Sequence, residues 1–291
     1  MTSIKKKFSI EIFGYGNRVE GDILPVVKNI FENFSLNIYV SCKRKINVDG
    51  KIILLNSFEE YKNNKNEEID KIAFVSVPVS EQELVLQSLF YNKDQYFRIF
   101  VDTPILKEYS QFGNKIDIME DFPFSPLIKI LKYYRSSFDP YLIFYKKSLY
   151  KYHGISIIKE IDKKVDLNKC LVMDLLFVKI TILKGEKKHF VISPRNYDKG
   201  NISLYKAFLN KMKIDKVTIK NSNIYIKDKL IYETSQNLKF LLSDGNFHIF
   251  SIIDSIKQIG LSKLILNSIL NDKIQYPAKK AFLDTRYSGL L

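Results

Sequence analysis

Two glycines one residue apart, Gly14 and Gly16, directly follow the apolar run "FSIEIF" near the start of the chain. Neither a strand nor a helix interior favours glycine, so the pair indicates a backbone that bends sharply or approaches something closely. The segment "GDILPVVKNIFENF" then carries apolar residues at helical spacing. At such a strand–helix turn Gly14 permits the bend, Gly16 lets a phosphate approach, and the helix dipole faces the negative charge. The stretch Gly14-Tyr15-Gly16-Asn17-Arg18 therefore predicts a dinucleotide-binding turn, with a glycine turn that holds no ligand as the alternative.

The end of the second predicted strand, "YVSCKRK", bears on which dinucleotide would fit. Enzymes that use NAD usually carry an acid here, which accepts a hydrogen bond from the ribose 2′-hydroxyl. This chain has Ser41, Lys43 and Arg44, a hydroxyl and two cations that suit a 2′-phosphate. We therefore expect NADP rather than NAD as the cofactor, with an ordinary basic loop as the alternative.

Apolar strands alternate with helices in the first part of the chain. Strands that are apolar on both faces and joined by helices indicate a parallel sheet covered on each side. Beyond residue 118, segments such as "VKITILKGEKKHFVI" and "KVTIKNSNIYIKDKLIYET" alternate in the manner of antiparallel strands. We predict an α/β protein with a doubly wound Rossmann domain over residues 1–118 and a C-terminal α/β domain over residues 119–291 with an open, mostly antiparallel sheet. One or more helices are expected to pack back on the first domain.

The composition, 46% apolar and 27% charged over 291 residues, is that of a soluble globular protein. No run approaches the roughly 20 apolar residues of a membrane helix. The basic start lacks a small-residue cleavage site, so no signal peptide is predicted. Cys42 and Cys170 are too few for a disulfide framework, and no spacing resembles a zinc site. We expect a cytoplasmic protein without a membrane partner and without a metal.

The net charge of +14 comes from lysines that are scattered among Asp and Glu. This pattern favours a solvated basic surface, with attraction of a phosphate-bearing ligand as the alternative. A nucleic-acid partner is not expected. The partner we expect is a small-molecule substrate.

The landmarks occur in an order that resembles the Gfo/Idh/MocA-type oxidoreductases over residues 8 to about 130. "IEIFGYGNR" is similar to the family's dinucleotide fingerprint, "KIAFVSVPVSEQELVLQSLF" to its third strand and next helix, and "FRIFVDTPI" to the strand that normally ends Glu-Lys-Pro. The resemblance implies an N-terminal Rossmann domain, and a C-terminal domain whose open sheet forms one wall of the substrate pocket.

The resemblance also implies site residues. Val77 and Pro78 correspond to the loop that borders the nicotinamide ribose, and the triplet Asp102-Thr103-Pro104 stands at the edge of the cofactor site. Glu120, in "MEDFPFSP", matches the segment entering the second domain and would point towards the pocket.

Two departures from the family pattern bear on the chemistry. The lysine of Glu-Lys-Pro, which usually helps to bind the cofactor and to position or protonate the reacting oxygen, is replaced by Thr103. The family's Asp-x-Gly-x-His-like run, at the start of a helix, has "CLVMDLLFVKIT" as its nearest counterpart, with Asp174 but without the glycine and the histidine. A sugar dehydrogenase of the usual Lys/His type is therefore not expected. Biliverdin reductases and thiazolinyl imine reductases resemble this chain in lacking the lysine.

Tyr152 and His153, in "YKYHGISIIK", are the candidate proton donors that the residues themselves suggest. Gly154 follows them, which indicates a specific backbone site rather than a helix face, early in the second domain. A packed or surface pair is the alternative. With Asp102 and Glu120 they form the set of candidate catalytic residues.

These observations predict an NADPH-dependent reductase that delivers hydride to a C=N, a C=O or a conjugated carbon of a small biosynthetic intermediate. The alternative is a catalytically degenerate nucleotide-binding or scaffold protein of the same fold. Because Gfo/Idh/MocA-type proteins commonly pair through the sheet of the second domain, a homodimer is expected, against a monomer with a solvated sheet.

Overall fold

In the computed structural model the chain forms two compact units, Met1–Asp121 with Gln258–Phe282, and Phe122–Lys257 with Leu283–Leu291. The first unit thus ends three residues beyond the predicted boundary at 118, and it takes in a C-terminal segment that the predicted division placed in the second domain. The structure describes residues 3–40, 51–54, 70–125, 128, 132, 142–144, 151–175, 178–194, 217–220, 223–226, 229–233, 239–241 and 254–288.

Six parallel strands form the sheet of the first unit: β1 Phe8–Phe13, β2 Phe34–Val40, β3 Lys51–Leu54, β4 Lys71–Val75, β5 Tyr96–Val101 and β6 Ile116–Ile118. Their spatial order is β3-β2-β1-β4-β5-β6. The central strands are buried along nearly their whole length, as their unbroken apolar sequences require. The order reverses direction between β1 and β4, and open α/β sheets bind ligands at the carboxyl ends of the strands at such a point.

In the described part of the first unit, helices follow β1 and β4, as the alternation predicts. A π-helical turn, Val19–Ile23, continues directly into α1, Leu24–Ile30. The other helices are α2 Val79–Phe90, α3 Lys151–Ile161, α4 Asp254–Leu270 and α5 Ala278–Tyr287, and short 3-10 turns occupy Lys93–Gln95, Ser110–Lys115, Phe122–Phe124 and Leu167–Lys169.

Pro25 sits inside the first helical run and has no N–H to give to the carbonyl of Gly21, four residues earlier. The Gly21 carbonyl oxygen instead accepts a hydrogen bond of 2.7 Å from Nε2 of Gln258 on α4. The side-chain amide of Gln258, from the C-terminal segment, therefore takes the place of the N–H donor that the proline lacks.

Two buried charged residues fix the C-terminal segment against the sheet of the first unit. Asp117 is the middle residue of β6. Its carboxylate accepts hydrogen bonds from the backbone N–H groups of Gln275 at 2.8 Å and Tyr276 at 2.7 Å. The Arg98 guanidinium, on β5, lies 2.7 Å from the Asp272 carboxylate. Burial raises the pKa of Asp117, although the two backbone hydrogen bonds act to lower it.

The second unit contains two sheets. The first has the order β7-β10-β9-β8, in which β7 is parallel to β10 and the other pairs are antiparallel, with bounds β7 Leu142–Phe144, β8 Leu171–Asp174, β9 Val178–Lys184 and β10 Lys188–Pro194. The second is an antiparallel meander of β11 Val217–Lys220, β12 Asn223–Ile226, β13 Lys229–Glu233 and β14 Lys239–Leu241. The predicted α/β class is confirmed: a parallel Rossmann sheet and a second part built on mostly antiparallel strands.

Asp162, just after α3, ties that helix to the β9–β10 hairpin. Its Oδ2 lies 2.9 Å from Nε2 of His189 and accepts the backbone N–H of Glu186 at 2.8 Å, while Oδ1 accepts the N–H of Lys164 at 3.0 Å. Both side chains of the Asp162–His189 pair are only 2% exposed. Burial acts to raise the pKa of Asp162, but the hydrogen bonds from His189 and Lys164 outweigh it and lower the pKa below its usual value.

Candidate functional site

Gly14 ends β1 in a conformation that other residues rarely adopt. Its φ is +95°, and a Cβ placed on it would lie 2.3 Å from the carbonyl oxygen of Ser76 and 3.0 Å from a methyl carbon of Val77. Its N–H donates to the carbonyl of Tyr39 at 2.8 Å. Glycine is needed here because the turn after β1 packs directly against the ends of β2 and β4.

Gly16 is a glycine of a different kind. A Cβ placed on it would meet nothing within 4 Å, so the space beside it is open. The helical run begins at Asn17, and the N–H of Glu20 is bonded to the Gly16 carbonyl at 3.0 Å. The N–H groups of the preceding residues in that first turn have no carbonyl four residues earlier within the helix. An exposed helix start beside open space is suited to an anionic group.

Arg18, in the same first turn, points its guanidinium at carboxylates of the protein. Nη1 lies 2.6 Å from Asp22, Nη2 lies 2.8 Å from Asp121, and Nε lies 3.6 Å from Asp102. Burial acts to lower the pKa of Arg18, but the charges of Asp121, Asp102 and Asp22 raise it well above its ordinary value. The guanidinium therefore serves the protein's own acids, and what Arg18 offers a ligand at the helix start is its backbone N–H.

We refer to Arg18, Asp22, Asp102 and Asp121 as the Arg18 cluster. It joins the start of the first helical run to the residues that follow β5 and β6, at the carboxyl edge of the sheet. One guanidinium faces three carboxylates, so the cluster carries excess negative charge whenever all three are ionised.

Asp102 is the most exposed of the three acids in the Arg18 cluster. Its side chain is 17% exposed, against 7% for Asp22 and 2% for Asp121. Its Oδ2 accepts the Ser76 hydroxyl at 2.9 Å, and its Oδ1 accepts the Thr103 N–H at 3.1 Å. Burial raises the pKa of Asp102, and the charge of Asp121 adds to that effect, against the lowering by Arg18 and by these hydrogen bonds.

The structure brings several predicted cofactor residues to this edge. Val77 contacts the Gly14 turn as described, Pro78 immediately precedes α2, and Thr103 follows Asp102 with Pro104 buried behind it. Tyr15 and Asn17 lie in the turn itself, Tyr15 half-buried and Asn17 exposed.

The predicted 2′-phosphate residues, Ser41, Lys43 and Arg44, lie outside the described residues. The strand that precedes them is described, and it ends at Val40. The hydrogen bond from Gly14 to Tyr39 places that strand end beside the glycine turn.

Glu120 directly precedes Asp121 in the chain. Its side chain is 1% exposed, and its N–H donates to the Ile118 carbonyl at 2.7 Å. The neighbouring Asp121, which no motif in the sequence marks, is one of the three acids around the Arg18 guanidinium.

Tyr152 and His153 lie in the second unit, in the first turn of α3 rather than in an irregular backbone site. The prediction of a special backbone conformation there is wrong, because apolar residues at helical spacing continue through Gly154. The Tyr152 side chain is buried, and the His153 ring centroid lies 4.1 Å from that of Tyr152 and 4.5 Å from that of Phe122. The ring of His153 is thus packed between aromatic neighbours.

The run around Asp174 does not start a helix, contrary to the interpretation from the family pattern. Asp174 ends β8, and the residues from Val178 onwards form β9. The edge strand β8 and its antiparallel neighbour β9 occupy the place in sequence where the family has its helix.

Three residues of the site were missed in the sequence: Asp22, Ser76 and Asp121. Asp22 had a readable signal, since it stands four residues after Arg18 on a helix, where opposite charges meet. Ser76 and Asp121 each follow a strand, as Asp102 does, and the carboxyl ends of neighbouring parallel strands share one edge.

Among the described residues, no group of three or more His, Cys, Asp or Glu is placed to hold a metal ion. None of the described helices is long and apolar enough to cross a membrane.

No protein-family model and no curated protein matches this chain. Solved structures do match. The chain is similar to a scyllo-inositol dehydrogenase from Lactobacillus casei, with bound NAD(H) and scyllo-inositol, at a TM-score of 0.60 and 13% identity over 98% of this chain and 96% of that chain. An oxidoreductase from Thermotoga maritima gives a TM-score of 0.60 at 14% identity, over 97% and 95% of the two chains. An oxidoreductase from Bacillus cereus gives 0.56 at 10% identity, over 97% and 95%.

At such low identity these likenesses concern the fold. They extend over nearly the whole chain, including the part beyond residue 130 where the sequence offered little resemblance. The chain therefore has the fold of the Gfo/Idh/MocA-type oxidoreductases, the family that its sequence motifs resemble.

Proposed function

We propose that this protein is an oxidoreductase that binds a nicotinamide dinucleotide at the turn after β1, and that it acts as an NADPH-dependent reductase of a small organic molecule. The observation that carries the proposal is the contrast within the glycine pair. Gly14 is required by the fold, whereas Gly16 borders open space at a helix start, at the switch point of a parallel sheet.

The residues present fit the dinucleotide. The first-turn N–H groups of the helical run would face the pyrophosphate, and the loop at Val77 and Pro78 stands beside the same turn. When bound, the reduced nicotinamide supplies hydride. The protein's own residues bind and orient it, and they must supply the proton that accompanies reduction.

The reductase assignment rests on what replaces the family lysine. The triplet Asp102-Thr103-Pro104 has no ammonium to assist the oxidation of an alcohol. Hydride delivery to an electron-poor C=N, C=O or conjugated carbon needs less assistance, because a single acid can complete it. A small substrate is supported by the solved neighbour that holds NAD(H) and scyllo-inositol on a similar fold.

The preference for NADP is supported by the sequence after β2, where Ser41, Lys43 and Arg44 replace the usual acid. A neighbour that binds NAD(H) is compatible with this preference, because the residue that faces the ribose differs between enzymes of one fold.

A catalytically degenerate nucleotide-binding protein is the second candidate function. It is favoured by the packing of Tyr152 and His153 among aromatic side chains, which leaves neither of them an obvious proton donor. Binding of NADPH without its oxidation, across a broad set of imines, ketones and conjugated compounds, would support this candidate.

Titration with NADPH and NADH, followed by the fluorescence of the reduced nicotinamide, tests the proposal. We expect tighter binding of NADPH, and a loss of at least tenfold in NADPH affinity when Lys43 and Arg44 are both changed to Ala, with little change for NADH. Lys187 and Lys188, exposed lysines of the β9–β10 hairpin, give a matched control that removes the same charge. Equal affinity for both nucleotides would contradict the preference for NADP. An absence of binding of either nucleotide would contradict the proposed oxidoreductase function.

The homodimer expected from the family resemblance remains a prediction. In the second unit, exposed apolar side chains gather on and after the edge strand β8, at Leu171, Val172 and Leu175. An edge strand with such side chains is open to pairing, and we expect a second copy to cover it. Light scattering at physiological salt decides, since a mass of 34.1 kDa would mean a monomer.

A further inference from the structure

Asp102 occupies a distinctive place in the Arg18 cluster. It follows β5, between β4 and β6, at the carboxyl edge of the sheet, and it is the acid of the cluster with the largest exposed fraction. Its two oxygens accept from Ser76 and from the Thr103 N–H, so the carboxyl group is held in one orientation. An oriented and partly exposed acid has the geometry of a proton donor.

The distribution of charge indicates which acid of the cluster is the most readily protonated. Arg18 gives its two terminal nitrogens to Asp22 and Asp121 at 2.6 and 2.8 Å, and only Nε, at 3.6 Å, is left for Asp102. Among the described members of the cluster, one positive charge faces three carboxylates in a mostly buried site, and this balance favours the neutral form of one of them. Asp102 has the weakest contact with the guanidinium, and burial and the charge of Asp121 both raise its pKa.

We propose that Asp102 is the proton donor of this protein, taking the part that the missing lysine would otherwise play, an inference that rests on the proposed reductase function. As hydride from the reduced nicotinamide adds to the carbon of a C=N or C=O, the π electrons move to nitrogen or oxygen. The O–H bond of the Asp102 carboxyl breaks and its proton bonds to that atom. The electron pair stays on the Asp102 carboxylate, which Arg18, the Ser76 hydroxyl and the Thr103 N–H stabilise, and solvent restores the proton.

The arrangement gives Ser76 and Arg18 distinct parts. Ser76 is a positioning residue that orients the carboxyl through Oδ2. Arg18 stabilises the carboxylate formed after proton transfer, and because its stronger contacts lie elsewhere, it leaves the acid form of Asp102 accessible beforehand.

The first experiment uses the protein without nucleotide. Carboxyl ¹³C NMR of protein labelled at aspartate, with the Asp102 signal assigned by its loss in Asp102→Asn, gives the pKa of this group directly. We expect titration above the ordinary aspartate value of about 3.9, and a downward shift in Asp22→Asn, which frees the Arg18 guanidinium for Asp102. Titration of Asp102 at or below the ordinary value would overturn the proposal whatever the enzyme's activity.

The second experiment follows the oxidation of bound NADPH by activated cyclic imines and diketones across pH. For the wild type we expect the rate to fall as pH rises through the Asp102 pKa, because the acid form is required. Asp102→Asn should lower the rate by roughly 10²- to 10⁴-fold and abolish this pH dependence, Asp102→Glu should retain it, and Asp94→Asn, an exposed acid, should match the wild type.

The outcomes separate this proposal from the proposed function. NADPH affinity within about threefold of wild type in Asp102→Asn, together with the loss of rate, supports the donor role. An unchanged rate in Asp102→Asn removes the donor role alone. If the wild type binds NADPH but never oxidises it, the proposed reductase function is contradicted, and so is the proposed role of Asp102 as proton donor.

Discussion

Two acids, the partly exposed Asp102 in the first unit and the buried Asp162 in the second, have opposite surroundings. Asp162 has a histidine and two backbone N–H groups to itself, and these bonds lower its pKa. Asp102 shares one arginine with two other carboxylates, and its pKa is raised. Asp162, which shares its hydrogen-bond partners with no other acid named here, joins a helix to a hairpin. Asp102, which shares its arginine with two other carboxylates, lies at the edge of the sheet where a ligand would bind. Several carboxylates that share one guanidinium, rather than the presence of a histidine, indicate the reactive site.

The same contrast separates two glycines, and it gives the largest predicted effect. Gly14→Ala should destabilise the protein by about 3 kcal/mol or more, because a Cβ would meet the Ser76 backbone at a positive φ. Gly16→Ala should leave stability within about 1 kcal/mol of wild type, since its Cβ meets nothing. Urea unfolding measures both. Equal losses would mean that the two glycines do not have different tasks.

Asp162→Ala should cost about 3 kcal/mol in the free energy of unfolding. The change leaves His189 buried without its carboxylate and removes the acceptor of the Glu186 and Lys164 N–H groups. Nucleotide affinity, measured on the folded variant by fluorescence titration, should stay at the wild-type value. A selective loss of nucleotide binding would place this pair in the active machinery and contradict the comparison.

Gly185→Ala should have a smaller effect, about 1–3 kcal/mol by urea unfolding. A Cβ there would lie 2.3 Å from Oδ2 of Asp162, so the carboxylate must move away from His189 or the hairpin must shift. In the double variant Gly185→Ala/Asp162→Asn the two losses should be less than additive, since both disturb one contact. Full additivity would show that the glycine acts elsewhere.

The pH dependence of stability should distinguish the two acids by sign. The lowered pKa of Asp162 contributes stability that is present above the unfolded-state value of about 3.9 and is lost as pH falls through the folded value, so Asp162→Asn should flatten the acid limb. The raised pKa of Asp102 has the opposite effect, so stability should fall as pH rises from about 3.9 through the folded value, and Asp102→Asn should remove that slope. Urea unfolding at several pH values checks both; slopes of the same sign would contradict the assignment.

The sequence was most informative where structure is local. The strand before Gly14, the helix after it and the strand leading to Asp102 each follow from apolar spacing over a few residues, and so does the parallel sheet they build. Helical spacing also ran through Tyr152 and His153, and it outweighed the glycine that follows them.

The Arg18 cluster could not be predicted in full because its members meet through the strand order. Asp121 is 103 residues from Arg18 in sequence, and only the placement of β6 beside β5 brings it to the same edge. Local patterns name Asp102 as a site residue, but its competition with Asp121 for one guanidinium requires the folded sheet. The charge state of the site is therefore a property of the fold and not of a motif.

Calorimetric titration of NADPH into the wild-type protein and into Gly16→Val tests whether the turn after β1 binds a dinucleotide, with urea unfolding of both proteins as the control for folding. We expect saturable binding to the wild type, with one nucleotide per chain, and a loss of at least tenfold in affinity when the valine side chain fills the open space beside the helix start. Wild-type protein that binds neither NADPH nor NADH, or a folded Gly16→Val that binds as tightly as the wild type, would contradict this expectation.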